Sequence, residues 1–464
     1  MTEATQAGGG ETAGAMKFSA DTFHRLTALM TLALLIIVFA FGNAAFLSVN
    51  NGLTVLLQEM NHAPVASFMV WYRVGSRHEK PGITGISHWV EHMMFKGTPA
   101  FPNGSLDRLI SREGGYNNAF TWLDYTAYYE TLPAHRIELA LQIEADRMVH
   151  TRMTPKEVEA ERTVILSERG MYENDPRFAL NEELTAAAFR VHPYHHEIIG
   201  DVSDLTTMTR DDLYGFYRSY YAPNNAIVVV VGDFEAESML SRIEGQFGDL
   251  PMGEPLPPVV RQEPVQKGER RVAVNGADPT SHLVVAYRAP AADHPDYFPL
   301  TLLNAALAGG SSLGMFGGGG SNKSCRLYKA LVDTDLAVNV SGSLVPTIDP
   351  FLYAISAVVR NGHAAADVEA AVDAELARLV TEPITQVELD KALKRAKAEF
   401  VLSSESMTGQ AQLLGMAEAV VGDYQWFETV LERLTAVSLS DIERVRQIYL
   451  QKRNRVVGWY EPEE

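Results

Sequence analysis

A chain of 464 residues is longer than one ordinary domain, and its length suits two domains of about 200 residues each. With 46% hydrophobic and 21% charged residues, it has the composition of a globular protein, which excludes an intrinsically disordered chain. Its 58 acidic and 39 basic side chains give a net charge of −19, which argues against nucleic acid as a partner because phosphate binding needs a basic face.

The chain begins with two stretches that differ from the rest. Residues 1–25 are polar and Gly-rich, and we expect a disordered leader there. Residues 26–42 run without a charge, at the lower limit for a membrane span and the upper limit for the core of a signal peptide. We therefore expect 26–46 to be a membrane anchor or a signal segment, and the protein to be membrane-associated. Without such an anchor it would be secreted, periplasmic or cytoplasmic.

Short apolar runs and longer helical stretches alternate from about residue 47. The run FLSVNNGLTVLLQEM predicts two strands joined by a turn at Asn51-Gly52. Further on, DDLYGFYRSYYAP predicts a helix that ends before Pro223, and NNAIVVVVGDF predicts a strand after it. The Pro-rich stretch 250–264 predicts a linker between a domain of 47–249 and a second domain of 265–464.

The second half repeats the first in outline. The helix and valine strand near 210–234 have a counterpart in SDIERVRQIYLQKRNRVVGWY at 440–460. The stretches TPKEVEAERTVILSE (154–168) and TQVELDKALKRAKAE (385–399) both begin with Thr, and both have a Glu 14 residues after it. These similarities predict a duplicated α+β unit.

Two histidines and a glutamate lie within five positions of the apolar stretch GISHWVEHMMFKGT. If 84–96 is helical, His88 and His92 lie one turn apart on one face, and Glu91 lies beside them. Two histidines, a carboxylate and an open water position make up the ligand set of a hydrolytic zinc site. A nearby carboxylate can then take a proton from the water. The alternative is a pair of core histidines with a surface glutamate.

The motif HWVEHMMFKGT resembles the inverted H-x-x-E-H zinc motif of the pitrilysin-type peptidases, which include the mitochondrial processing peptidase and its bacterial relatives. The stretches GGYNNAFTWLDYTAYYETLP and HPYHHEIIGDVSDL resemble the same family, and the resemblance covers essentially all of 47–464. It implies an α+β fold of two homologous α/β-sandwich domains, each a mixed sheet with helices packed on it, which enclose a cleft or chamber.

The resemblance also implies the remaining site residues. The family carries a third ligand, a glutamate, about 76 residues beyond the second histidine, and 92 plus 76 gives Glu168. By resemblance, His88, His92 and Glu168 bind Zn²⁺, and Glu91 is the general base. Glu161 matches the acidic residue that supports the site. The alternative for Glu161 and Glu168 is a solvated acidic helix.

Two further stretches are given a role by the resemblance. The strand NNAFTW at 117–122 would offer its free edge to a peptide substrate, so that Asn118, Ala119 and Phe120 line the scissile region. They could equally be ordinary strand residues. The Gly-rich run 309–324 nearly matches a P-loop but lacks the Gly before Lys323, which argues against a nucleotide site. A comparable loop of the processing peptidase helps to take in substrate; the alternative is a flexible connection.

The chain departs from the family in its second half. Active single-chain members carry an Arg and a Tyr there that stabilise the polarised carbonyl. Val332 and Val338 occupy the expected places, with a spacing one residue short, and neither side chain can donate a hydrogen bond. We expect a zinc-less homologous subunit to supply the pair in a heterodimer. The alternatives are a homodimer or a chain that acts alone.

The sequence therefore predicts a zinc metalloendopeptidase that hydrolyses peptides or unfolded polypeptides, with Glu91 activating a zinc-bound water, as the zinc-bearing subunit of a complex. The alternative is a non-catalytic core subunit of a membrane-associated complex. The intact set of His88, Glu91, His92 and Glu168 argues against that alternative.

Overall fold

The structure is a computed structural model that describes residues 44–310 and 322–463. The expected leader and the apolar stretch 26–42 lie outside the described residues, as does 311–321 of the Gly-rich run, so the expectations for them stay predictions. In the described ranges, no helix has the length and apolar character needed to span a bilayer. The expected anchor extends to residue 46, but Ala45 and Phe46 belong to a strand.

The first sheet has six strands in the order β1-β2-β6-β3-β5-β4, in which β2 and β6 are parallel and all other neighbours are antiparallel. The predicted hairpin is confirmed: β1 and β2 pair around Gly52, whose φ of +84° suits glycine. The strands are β1 (Ala45–Ser48), β2 (Thr54–Glu59), β3 (Val65–Tyr72), β4 (Tyr116–Thr121), β5 (Thr126–Pro133) and β6 (Ala226–Gly232).

The second sheet has five strands in the order β7-β11-β8-β10-β9. Strands β7 and β11 are parallel, and all other neighbours are antiparallel. The strand order and strand directions are therefore the same as those of β2-β6-β3-β5-β4 in the first sheet. The predicted duplication of an α+β unit is therefore confirmed. The strands are β7 (Arg270–Gly276), β8 (His282–Arg288), β9 (Ala337–Leu344), β10 (Leu352–Val359) and β11 (Arg455–Pro462).

Helices cover both sheets. Those between β3 and β7 are α1 (Ile86–Met94), α2 (Leu106–Arg112), α3 (Glu138–His150), α4 (Pro155–Glu173), α5 (Pro176–Ala188), α6 (Val202–Thr207), α7 (Arg210–Tyr220) and α8 (Ala236–Phe247). Those after β8 are α9 (Tyr297–Leu307), α10 (Ala365–Thr381), α11 (Gln386–Ser403), α12 (Met407–Met416), α13 (Gln425–Ala436) and α14 (Leu439–Tyr449). The two long helices α4 and α11 begin with the same capping box, at Thr154 and Thr385.

Each half contributes a helix to the sheet of the other half. Helix α5, which follows α4, packs on β7 and β11, and helix α12, which follows α11, packs on β3 and β6. Gly415 of α12 lies directly against the indole of the fully buried Trp71 in β3, where any side chain would collide. Next to this contact, Arg73 forms a 2.9 Å ion pair with Glu418. The exchanged helices thus join the two halves.

The stretch between α8 and β7 has no regular structure, as its Pro-rich sequence predicts. It is nevertheless fixed to the first half, because the carboxylate of Glu263 accepts hydrogen bonds from the backbone N–H groups of Arg190, Val191 and His192. Those bonds hold the loop that follows α5.

Candidate active site

Helix α1 begins at a close contact between two backbone segments. Gly85 (φ +85°) and Gly200 (φ +84°) lie against each other, and a Cβ on either would overlap the carbonyl oxygen of Ile199 or of Thr84. The buried carboxyl of Glu79 accepts hydrogen bonds from the first N–H groups of the helix, at Gly85 (2.7 Å) and Ser87 (2.9 Å). This arrangement brings the loop before α6 to the start of the helix that carries the histidines.

The predicted metal ligands converge. His88 and His92 lie on one face of α1 with their ring centroids 4.6 Å apart, and Glu168 reaches them from α4. The Oε2 atom of Glu168 lies 3.8 Å from His88 Nε2 and 3.5 Å from His92 Nε2. One ligand atom from each of the three residues lies within 4.8 Å of the others. The opposite face of α1, including Trp89, Val90 and Met93, is fully buried in the core.

His92 is oriented by two residues outside this cluster. Its Nδ1 lies 2.9 Å from Oε1 of Glu161, so that Nε2 is left to face Glu168. The ammonium group of Lys96 forms an ion pair with the other carboxylate oxygen of Glu161. Burial alone would raise the pKa of Glu161, but the bonds from His92 and Lys96 lower it below its ordinary value. Glu161 is therefore a charged support for His92.

Glu91 lies on α1 beside the two histidines and is 8% exposed, at the wall of a cavity that His88 and His92 also line. Burial raises its pKa to about 7, although a hydrogen bond from the hydroxyl of Thr121 opposes the shift. In that bond, Thr121 Oγ1 donates to Glu91 Oε2 over 2.6 Å. A pKa near neutrality is the one that suits a general acid–base group.

A cavity of about 430 Å³ opens beside the cluster. Ala119 and Phe120 of β4 line it, and β4 lies at the edge of its sheet, paired only with β5 in the described part of the chain. Asn118 does not line this cavity, and its side-chain oxygen accepts a 2.9 Å bond from the backbone N–H of Ala119. The edge position leaves the outer backbone groups of β4 open to another strand.

Three residues that contact the cluster or its neighbours were not predicted from the sequence. Thr121 holds Glu91, Lys96 holds Glu161, and the hydroxyl of Tyr172 donates a 2.9 Å hydrogen bond to Oε1 of Glu168. Tyr172 and Lys96 each lie four residues beyond a predicted ligand, Glu168 and His92, so helical spacing alone was a usable signal. No comparable local signal marked Thr121, which reaches Glu91 from another element.

Family models match most of the described chain. Residues 54–202 match the model described as Insulinase (Peptidase family M16), and residues 207–396 match the model described as Peptidase M16 inactive domain. The chain belongs to peptidase family M16. The predicted resemblance is thus confirmed, and the model named inactive covers residues that lie after the His-Glu-His cluster and Glu168.

Relatives of this M16 chain are similar over nearly their whole length. The zinc protease PqqE of Helicobacter pylori is 29% identical over 421 residues, which cover 89% of this chain and 92% of the relative. The beta subunit of the mitochondrial-processing peptidase of Lentinula edodes is 27% identical, over 87% of this chain and 86% of the relative. The crystal structure of a protease from Helicobacter pylori aligns with a TM-score of 0.85 at 28% identity, over 91% of this chain and 100% of that chain.

The donor set of this M16 chain fits a zinc ion. Two imidazole nitrogens and one carboxylate oxygen are the ligands of hydrolytic zinc sites, in which a fourth position stays open. Zinc needs neutral imidazoles. Burial, followed by the proximity of His92, lowers the pKa of His88 to about 3. For His92, the hydrogen bond to Glu161 and the nearby carboxylates outweigh burial and raise the pKa, so zinc would displace a proton there. The bond from His92 Nδ1 to Glu161 leaves Nε2 of His92 for the ion.

The second half of this M16 chain has no donor at the two positions where the resemblance predicts an Arg and a Tyr. Val332 lies in the turn of Tyr328–Val332, and Val338 is 58% exposed on the edge strand β9. Neither valine can stabilise a developing oxyanion by a hydrogen bond.

Proposed function

We propose that this chain is a zinc-dependent metalloendopeptidase that hydrolyses extended peptides or unfolded polypeptides. In this proposal His88, His92 and Glu168 hold the zinc ion, and Glu91 is the general base. The observation that carries it is the convergence of the three donor atoms within 4.8 Å of one another. Because the carboxyl of Glu91 opens into the same cavity, the arrangement suits metal-assisted hydrolysis.

Bound zinc would lower the pKa of a water molecule towards about 7 and polarise the peptide carbonyl. Glu91 takes a proton from the attacking water and later delivers it to the leaving amine. The hydroxyl of Thr121 holds one oxygen of Glu91 and leaves the other for the proton. The carboxylate of Glu161, with Lys96 as its counter-ion, keeps the imidazole of His92 turned towards the ion.

The substrate binds along the free edge of β4 in this proposal. A peptide in extended conformation adds a strand to the first sheet, with main-chain hydrogen bonds to the outer backbone groups at Asn118 to Phe120. Ala119 and Phe120 also line the cavity that contains Glu91, so a strand bound there would pass the catalytic groups. Backbone recognition of this kind favours extended over folded substrates.

A zinc-less homologous subunit completes the active site in this proposal. Val332 and Val338 leave the second half without the expected donors, and one relative is named as a subunit of a processing peptidase. The test is to purify the chain alone, and with a zinc-less paralogue, and to compare kcat/KM on one peptide. Full activity of the chain alone would contradict the need for a partner.

The peptidase proposal is tested with Glu91→Gln, measured for zinc content and peptide cleavage in the same complex as the wild type. We expect one zinc per chain in both proteins, chelator-sensitive cleavage by the wild type, and a loss of at least about a thousandfold in the variant. Glu428→Gln, on the exposed face of α13, is the matched control and should keep full activity. A zinc-free wild type, or cleavage by Glu91→Gln at the wild-type rate, would contradict the assignment.

A further inference from the structure

The turn between β4 and β5 lies against the turn between β9 and β10, which is its counterpart in the duplicated half. Residues 122–125 form the first turn, and residues 345–351 form the second. Trp122 and Val345, one from each turn, line a common cavity between the two halves, and Trp122 also lines the cavity of the candidate active site. The contact between the turns therefore lies where β4 ends and the second half begins.

Asp124 joins the two turns through both oxygens of its fully buried carboxyl. Its Oδ1 accepts a 2.6 Å hydrogen bond from the hydroxyl of Tyr194, and its Oδ2 accepts a 3.0 Å bond from the backbone N–H of Ile348. The hydroxyl of Tyr194 in turn accepts a 3.3 Å bond from the backbone N–H of Asp349. Two successive N–H groups of the second half are thus held by Asp124 and Tyr194 of the first half.

The side chain of Asp349 adds a second link between the turns. Its Oδ2 accepts a 2.6 Å hydrogen bond from the guanidinium of Arg77 and lies 3.1 Å from Nε2 of His192. Nδ1 of His192 accepts a 3.2 Å bond from the backbone N–H of Tyr194, so Nε2 carries the ring proton and donates to Asp349. The backbone N–H of Arg77 donates a 2.8 Å bond to the carbonyl of Leu123, which fixes Arg77 to the first turn.

The carboxyl of Asp124 is ionised at neutral pH although it is buried. Burial raises its pKa to about 6. The bonds from Tyr194 and Ile348 oppose this shift, followed by the charge of Arg77, which lies 3.7 Å away. A buried donor that loses its acceptor costs more than the bond itself contributes, because the donor stays desolvated. Cutting these bonds would therefore release the turn of the second half.

We propose that Asp124 is a positioning residue for the substrate strand, which it serves by holding the turn of the second half at a fixed distance from the end of β4. Asp124, Tyr194 and Asp349 together form what we call the turn clamp. The inference rests on the proposed peptidase function, because it concerns the binding of the same peptide. In the part of the chain that the structure describes, the bonds of Asp124 go to the second half and to its own half behind the turn, and none goes to Glu91 or to a zinc ligand. The turn clamp therefore acts on peptide binding and leaves the chemical step unchanged.

Peptide binding to the zinc-loaded Glu91→Gln protein, in the complex in which the wild type is assayed, tests the turn clamp without cleavage. Tyr194→Phe, added to Glu91→Gln, removes the hydroxyl between Asp124 and the backbone of Asp349 and keeps the ring. We expect the Kd of a short, unstructured, fluorescently labelled peptide to rise about tenfold, with zinc content unchanged. An unchanged Kd in the folded, zinc-loaded variant would overturn the proposal.

Tyr217→Phe is the matched control for the loss of a buried hydroxyl. The hydroxyl of Tyr217 donates to the carbonyl of Arg147 and accepts from the backbone N–H of Thr151, so it makes the same number of bonds within the first half. Denaturant titration should show that both variants lose stability, whereas only Tyr194→Phe should raise the Kd of the peptide. An equal rise in Kd for both variants would overturn the proposal, since it would assign the effect to stability alone.

Asp349→Asn is a second variant, which serves if Tyr194→Phe fails to fold. Asp349 is partly exposed, and the change removes the charge that pairs with Arg77 while it keeps the shape of the side chain. We expect the Kd to rise here too. With Glu91 restored, both variants should raise KM and leave kcat within about twofold of the wild type. A lower kcat at an unchanged KM would indicate a smaller folded fraction and would overturn the positioning role.

Cleavage by the wild type separates this proposal from the one on which it rests. Weaker peptide binding in the variants of the turn clamp, with no cleavage of any peptide by the wild type, would support the clamp and contradict the peptidase function. Cleavage by the wild type, with the same KM in the variants, would support the peptidase function and overturn the clamp. Absence of peptide binding to the zinc-loaded Glu91→Gln protein, together with absence of cleavage, would contradict both.

Discussion

The hydroxyl of Thr121 donates a 2.6 Å hydrogen bond to Oε2 of Glu91. Thr121 is the last residue of the edge strand β4, and Glu91 lies on α1, so this bond joins the proposed substrate strand to the proposed general base. The Oγ1 atom of Thr121 also lies 3.3 Å from Oγ1 of Thr126 in β5, and this second contact helps to orient the side chain of Thr121. The position of the base is thus coupled to the strand that would bind the peptide.

Thr121→Val should lower kcat because it removes this bond with little change in volume. The loss of one hydrogen bond to a charged group corresponds to about 1.5–3 kcal/mol, or roughly a ten- to hundredfold loss of kcat. We expect KM and zinc content to remain near those of the wild type, measured by steady-state kinetics and by metal analysis. Thr121→Ser keeps the hydroxyl and should retain most of the activity. Equal rates for Thr121→Val and the wild type would argue against a positioning role.

Lys96→Met should weaken zinc binding indirectly, through the contact of Lys96 with Glu161 and that of Glu161 with His92. Lys96 pairs with Glu161, and Glu161 accepts the bond from His92, so loss of the ammonium group leaves a buried carboxylate without its counter-ion. Changes behind a metal ligand typically cost about ten- to hundredfold in metal affinity. Competition with a chromogenic chelator measures the zinc affinity, and Lys391→Met on the exposed face of α11 is the control. Unchanged zinc affinity in Lys96→Met would remove Lys96 from the site.

The sequence predicted the local parts of this site better than its assembly. His88, Glu91 and His92 were found because helical spacing is a local property of the chain, and α1 does run from Ile86 to Met94. Glu168 was reached only through the family resemblance, since 76 residues separate it from His92 and the contact depends on how α4 packs on α1. Thr121 was missed for the same reason.

For the fold, too, local features were predicted from the sequence and the packing between distant elements was not. The repeated Thr start and valine strands predicted the duplicated unit, and the equivalent capping boxes at Thr154 and Thr385 confirm the helix starts. The exchange of α5 and α12 between the sheets was not predicted. Helix α5 follows the long helix α4, and α12 follows the long helix α11, so the exchange is the same in both halves. The sequence pattern of a helix shows that it has an apolar face, but it does not show which sheet covers that face.

Glu197→Gln should change the pH dependence of stability. Burial raises the pKa of Glu197 to about 7, above the ordinary value of 4.5 for the unfolded chain, so the folded protein keeps a proton that the unfolded chain has already lost. The free energy of unfolding therefore falls as the pH rises from about 4.5 to about 7 in the wild type. The variant lacks this contribution. Thermal unfolding measured across that range should show that the Tm of Glu197→Gln rises relative to the Tm of the wild type as the pH increases. A difference in Tm that stays constant with pH would contradict the shifted pKa.

Gly415→Ala tests the exchanged helix α12. A Cβ at Gly415 would overlap the indole ring of Trp71, which is fully buried, so the packing between the two halves must shift locally to admit a methyl group. We expect a loss of about 1–3 kcal/mol in the free energy of unfolding, as for other overpacked sites, measured by denaturant titration. Gly245→Ala makes the same change in helix α8, where nothing lies within 4 Å of the new Cβ, and should stabilise by about 0.5–1 kcal/mol. Stabilisation of both variants would show that α12 does not pack against Trp71.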